Sequence, residues 1–185
     1  NSVGATSRTK VRRAPEKTIV DREIVNAILD AGLVAHVACV VDGQPFVMPV
    51  GYARDGDRVL IHGSAASRVF KALAAGQSTC LTVTLLDGIV LARSAFESSM
   101  NYRCVIALGI CEVLEGEEKE SALIRITDYL LPGRTAHARI SAPKESKATL
   151  MLALPLTEVS CKVSENFSED DPADLVDPIY SNIWA

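Results

Sequence analysis

The sequence predicts an α+β fold, a closed or partly closed antiparallel β-barrel with helices packed outside it. Six or more short runs of β-branched and apolar residues recur about every ten positions. Asp-Gly pairs at Asp42-Gly43, Asp55-Gly56 and Asp87-Gly88 punctuate them as hairpin turns. Links this short leave no room for the crossover helices that parallel strands need. Closing such strands on one another removes the edges they would otherwise expose.

Composition narrows the function classes. At 185 residues, 48% of them apolar, the chain suits one globular domain with a substantial core. A net charge of −4, with no long basic stripe, argues against nucleic acid as the main partner. The longest uncharged apolar runs reach about half of the ~20 residues a membrane span needs, so no membrane partner is expected. Cys39, Cys80, Cys104, Cys111 and Cys161 are an odd set without a C-x-x-C pair, most of them in apolar, strand-like surroundings. They read as free thiols in a reducing cytoplasm. His36, His62 and His137 share no ligand-like spacing with each other or with a cysteine, so no metal centre is expected.

Residues 1–15 are polar and aperiodic, with the basic run SRTKVRR, and are expected to form a disordered tail ahead of one domain over 16–185. Asp21 caps a helix whose apolar face is Ile24, Val25, Ile28 and Leu29, and Gly32 ends it. Strands over 33–41 and 45–54 join through Asp42-Gly43, and Asp55-Gly56 leads to a third at Val59, Leu60 and Ile61. Pro49 cannot donate to a ladder, so its strand is an edge or is locally open there. An open edge beside an anion site offers backbone hydrogen bonds to a planar ligand, while an ordinary edge protected by proline explains the same residue.

The stretch RVLIHGSAASRVFKAL, residues 58–73, organises the rest. It runs from strand through a small-residue turn into a helix with Ala65, Val69, Leu73 and Phe70 on one face. Ser64 is the expected N-cap. Unpaired first-turn N–H groups, the helix dipole, Ser67 and Arg68 together suit an anion, a phosphate foremost. Simple capping by the two serines, with Arg68 a solvated charge, accounts for the same pattern.

Further on, residues 78–86 and 89–94 are expected to pair as a hairpin through Asp87-Gly88, and 96–100 to be an irregular connection. Residues 102–113 form a long strand with Gly109 as a bulge or a close-approach point. Residues 116–131 form an amphipathic helix, with Leu123, Ile124, Ile126, Leu130 and Leu131 inward, stopped by Pro132-Gly133. Two strands follow at 150–155 and 158–163, then an acidic connector over 165–174 and an aromatic tail over 178–184.

The words IHGSAASR, TLLDG, SMNYR and LPGR occur in an order and spacing that resembles the FMN-binding split-barrel family, the pyridoxamine 5′-phosphate oxidase-like and nitroimidazole reductase-like flavoproteins. The resemblance spans residues 21–184. It implies an α+β, antiparallel six-stranded split β-barrel with flanking helices, assembled as a homodimer with FMN at the subunit interface. It implies that His62, Gly63, Ser67 and Arg68 form the phosphate-binding strand–turn–helix, with Ile61 and Ser64 also among the cofactor-binding residues, that Met48, Pro49 and Val50 lie along the flavin ring, and that Arg103 reaches the flavin from the next long strand. The activity implied is that of an oxidoreductase on a small nitroaromatic or quinone-like acceptor, or a pyridoxamine phosphate-like substrate. A non-catalytic flavin-binding dimer, or a barrel holding haem or a deazaflavin, are the alternatives, with His36 or His62 as iron ligands. Departures concern the substrate. Phe46 and Gly51 stand where the oxidases carry arginine and lysine, Glu97-Ser98 where relatives carry two histidines, and Tyr180 where they carry a tryptophan. No catalytic acid, base or nucleophile is assigned.

Overall fold

Asp21 opens the first helix as expected: its carboxylate accepts hydrogen bonds from the N–H groups of Glu23 and Ile24, at 2.8 and 3.4 Å. A computed structural model describes residue 4 and residues 6–176. Its strands are β1 (Thr18–Ile19), β2 (Val34–Val41), β3 (Gln44–Asp55), β4 (Arg58–Ser64), β5 (Ser78–Val90), β6 (Ser99–Ile110), β7 (Glu112–Val113), β8 (Thr149–Pro155) and β9 (Glu158–Ser164). Its helices are α1 (Arg22–Ala31), α2 (Arg68–Ala74), α3 (Gly116–Leu130) and the short α4 (Pro143–Lys147). The aromatic tail with Tyr180 lies outside the described residues. The segment expected to be a loose tail is described in part: Arg8 pairs with Glu158 of β9, and Thr9 is buried.

All pairings are antiparallel, in the order β1-β9-β6-β5-β2-β3-β4-β8-β7. Because β7 follows β6 after one residue and pairs with β8, the sheet curls back on itself. Nine strands stand among the described residues where six were expected. The excess includes β1 and β7, each two residues long and too short for any hydrophobic period to reveal.

Inside the curl, Val25, Ile28 and Leu29 of α1 and Val69, Phe70 and Leu73 of α2 pack with Val37, Tyr52, Ile61, Leu81, Val83 and Val105. Helix α3 covers the outer face of the β3/β4/β8 half, where Ala122 and Ile126 meet Ala53, Leu60, Met151 and Ala153. The outward face around β2 and its neighbours keeps exposed apolar residues, Val34, Val40, Val47 and Ile110.

Two turn signals of the same composition behave differently. Asp42 and Gly43 both take positive φ, 52° and 78°, as a tight hairpin turn requires. Asp87 and Gly88 do not, and they make no hairpin. Strand β5 runs through them and pairs with β6 on both sides, shifting register between Leu86/Tyr102 and Gly88/Asn101. Asp87 is therefore the extra residue of a β-bulge, and the chain reverses only after Val90. Gly109 is the converse case. Its register is regular, and a Cβ there would lie 3.1 Å from Leu154 Cδ1, so it serves close approach and not a bulge.

Candidate functional site

Strand β3 changes neighbours part-way along, and the change makes a cleft. Residues from Gln44 to Gly51 pair with β2; from Tyr52 onward the pairing with β4 takes over, ending the β2 ladder. On the other strand, His62, Gly63 and Ser64 pair only with β8. The edge at Met48, Pro49 and Val50 thus diverges from the edge that leads into α2. The proline marks a local opening, because β3 is paired there on the β2 side alone.

The turn that closes the cleft is tied at several points. Ser64 Oγ accepts the N–H of Ala66 at 3.1 Å, its carbonyl accepts the N–H of Ser67 at 2.9 Å, and Ala65 N–H donates to the Ala148 carbonyl at 2.8 Å. The helix begins three residues later than expected. Ser67 is its N-cap, with Oγ accepting the Phe70 N–H at 3.4 Å, because Ser64 is still held in the β4–β8 ladder opposite Thr149. Among the described residues the N–H groups of Arg68 and Val69 have no acceptor and Arg68 has no carboxylate partner. Its guanidinium instead lies 5.4 Å from the ring centroid of Phe46 on β3, spanning the mouth of the cleft.

Gly63 is obligatory for packing: a Cβ would fall 2.4 Å from Phe70 Cε2. His62 is exposed on the opposite side of β4, yet desolvation by its surroundings holds its pKa below the ordinary histidine range. That shift favours the neutral imidazole, which hydrogen-bonds without charge. Met48 is half-buried, Pro49 exposed and Val50 buried; Ile61 is wholly buried in the core, paired on both sides by Tyr52 and Leu152.

Arg103 is not brought to this cleft within one chain. The level of Pro49 passes through His36 and Thr82 to Ile106 on β6, three residues from Arg103 and three strands away across the sheet. At ~3.3 Å per residue and ~4.8 Å between strands that is roughly 10 Å along β6 and roughly 14 Å across the sheet. Its guanidinium sits in a fork on Asp87, with Nη2 2.7 Å and Nε 3.2 Å from Oδ1 and Nε 3.0 Å from Oδ2. Two residues escaped the sequence reading of the site: Phe46, whose place under Arg68 depends on register, and Asp87, hidden by its resemblance to a turn.

The donor set around the turn, two hydroxyls, two free N–H groups and an unpaired guanidinium, fits a phosphate-bearing cofactor. The family model of pyridoxamine 5′-phosphate oxidase matches residues 21–163. The chain belongs to that family. Among solved structures, the flavocytochrome Anf3 of Azotobacter vinelandii is 43% identical, with a TM-score of 0.86 over 95% of this chain and 82% of that one. The FAD and haem binding protein of Mycobacterium smegmatis is also 43% identical, with a TM-score of 0.82 over 86% of this chain and 78% of that one. A putative 5-nitroimidazole antibiotic resistance protein of Bacteroides thetaiotaomicron, 21% identical, shares the fold, with a TM-score of 0.65 over 79% of this chain and 86% of that one. No curated protein matches. Pyridoxamine 5′-phosphate oxidase-like topology thus accompanies the cleft, and among the described residues no cluster of histidine, cysteine or carboxylate side chains suits a metal ion and no helix is long and apolar enough to cross a membrane.

Proposed function

We propose that this chain is a flavin-dependent oxidoreductase that holds the phosphate end of its cofactor at Ser64, Ser67 and Arg68 and its ring along Met48, Pro49 and Val50. The observation that carries this reading is the unpaired Arg68 guanidinium facing the open β3 edge across the cleft. A bound flavin supplies a carrier for electron pairs; the protein supplies position, electrostatics and access. FMN is what the sequence words imply, and the M. smegmatis structure at 43% identity, named for FAD, supports the dinucleotide. The exposed apolar face with Val34, Val40, Val47 and Ile110 supports a homodimer, which would let Arg103 of a second copy reach the cofactor. The reading places the protein in the cytoplasm, consistent with its free thiols. Its acceptor is small and uncharged, nitroaromatic or quinone-like.

Haem as a second group is favoured by one specific observation: the M. smegmatis relative is named for FAD and haem together, and the A. vinelandii relative is a flavocytochrome. His36, exposed and paired opposite Pro49, is the imidazole beside the flavin strand. An absorption spectrum of the gently purified protein, followed by titration with FMN and FAD, tests both readings. Flavin bands with NADH- or NADPH-dependent reduction of an added quinone support the enzyme; flavin bands without turnover reduce it to a binding protein. A Soret band adds haem. A protein that takes up neither flavin refutes the proposal.

A further inference from the structure

The bulge in β5 costs a regular ladder position and delivers one side chain, Asp87, to Arg103. Removing residue 87 would leave Leu86, Gly88 and their partners in continuous register, so the inserted residue is not needed for pairing. Among the described residues the only ion-pair partner of Asp87 is Arg103, and the two side chains keep 30% and 36% of their surfaces exposed. An ion pair this open adds little stability, so the fold gains little by keeping the bulge. The arginine is the cation that the flavin reading assigns to the cofactor of a second copy, since within its own chain it lies on β6, three strands away from the β3 edge at Pro49. Glu165 adds a second carboxylate to its field. Hydrogen bonds from the guanidinium hold the Asp87 carboxyl below its usual range, so the counter-charge stays in place at working pH.

We infer that Asp87 is a positioning residue that sets the charge Arg103 offers to a flavin: it holds the guanidinium as a nearly neutral pair, and negative charge on the cofactor must compete for it. The inference rests on the flavin reading above. Substituting Asp87→Asn frees the cation while keeping the side chain's size and one of its two acceptor oxygens. Because reduction adds negative charge to the flavin, the reduced form gains more than the oxidised form.

The test uses the full chain loaded with added FAD, with the midpoint potential and the dissociation constants of oxidised and reduced FAD as readouts. Asp87→Asn is expected to tighten reduced FAD about tenfold relative to oxidised, which for a two-electron couple is a rise of ~30 mV. Asp87→Glu, which keeps the counter-charge, stays near the parent value. In an Arg103→Ala background Asp87→Asn moves the potential no further. A pair with no part in flavin binding would leave the potential where it was. An unmoved or lowered potential in Asp87→Asn, or an equal shift without Arg103, overturns the inference while leaving flavin binding intact; a chain that takes up no FAD overturns the inference and the flavin reading together.

Discussion

Substituting Gly63→Ala probes whether the phosphate turn is built on the packing of one aromatic ring. The glycine has an ordinary negative-φ backbone, so alanine is conformationally allowed there, and only space is at issue. An added Cβ would sit 2.4, 2.5 and 2.6 Å from Cε2, Cδ2 and Cζ of Phe70, a ring that is 1% exposed. Those atoms belong to a packed core, so the ring and the first turn of α2 must shift together. Overpacking of this kind costs ~1–3 kcal/mol. For a domain near this size each kcal/mol lowers the melting temperature by ~2–4 °C, giving a drop of roughly 2–12 °C by calorimetry. Ser67 and Arg68 lie just ahead of Phe70, so flavin affinity falls with stability. The double variant Gly63→Ala with Phe70→Leu restores room and recovers part of both losses, a coupling of ~0.5–3 kcal/mol. Gly63→Ala that melts like the parent, or a double variant that loses the plain sum of the singles, would refute the packing argument.

Arg68→Ala is expected to weaken FAD binding by ~1.5–3 kcal/mol, since a charge-assisted contact is lost, while urea unfolding shifts by less than about 1 kcal/mol because the side chain has no carboxylate partner. Ser67→Ala removes the N-cap of α2 and lowers stability by ~1 kcal/mol, measured by the same unfolding curves. Tyr129→Phe takes away a hydroxyl placed 2.6 Å from the Gly32 carbonyl, 2.8 Å from that of Asp30 and 3.1 Å from that of Leu29; leaving the end of α1 without that donor costs ~1–2 kcal/mol in urea unfolding. Glu145 is pushed down from 4.5 to about 2 by the Arg139 guanidinium and the Ala142 N–H. A folded-state pKa below the unfolded one stabilises above the unfolded value and loses that contribution as pH falls toward the folded one. Amide protection across α4 therefore declines between pH 4.5 and about 2, and Arg139→Ala moves that decline to higher pH in hydrogen exchange.

Much of this arrangement is legible in the sequence where one local signal has one physical outcome. Asp21 followed by apolar residues at helical spacing specified α1, and Asp42-Gly43 specified a turn because both residues tolerate positive φ. The strand–turn–helix over 58–73 was legible as a unit, but not which serine caps it. Ser64 and Ser67 are chemically equal, and the choice falls to Ser67 because β8 continues to pair with β4 as far as Ser64. Asp87-Gly88 misled for the same reason in reverse: a turn forms only if its flanks pair with each other, and both flanks pair with β6. The Arg68–Phe46 contact depends on how β3 divides its pairing between β2 and β4, which no stretch of sequence records locally.

That division also bears on what the cleft can accept. The resemblance to the oxidases calls for an arginine and a lysine flanking the flavin strand, and the chain has Phe46 and Gly51 instead. Phe46 lies beneath the Arg68 guanidinium, so a second cation there would repel the first. Gly51 is the last residue paired with β2, and a Cβ on it would meet Leu130 Cδ1 of α3 at 3.0 Å. Next to that leucine, Tyr129 ties α3 to the end of α1. A lysine at position 51 would have to displace Leu130 from the point where β3 changes neighbours. Both positions that carry the flanking cations in the oxidases are thus taken up by packing here, against Arg68 and Leu130. On the flavin reading proposed above Arg68 serves the cofactor, and these two positions then offer a phosphorylated substrate no counter-charge. The same geometry that supports a flavin therefore favours an uncharged acceptor, and Gly51→Lys is expected to destabilise the fold without conferring binding of pyridoxamine phosphate, measured by equilibrium titration. Tight binding of that ligand by a well-folded Gly51→Lys variant would show that the space taken by Leu130 is not what excludes it.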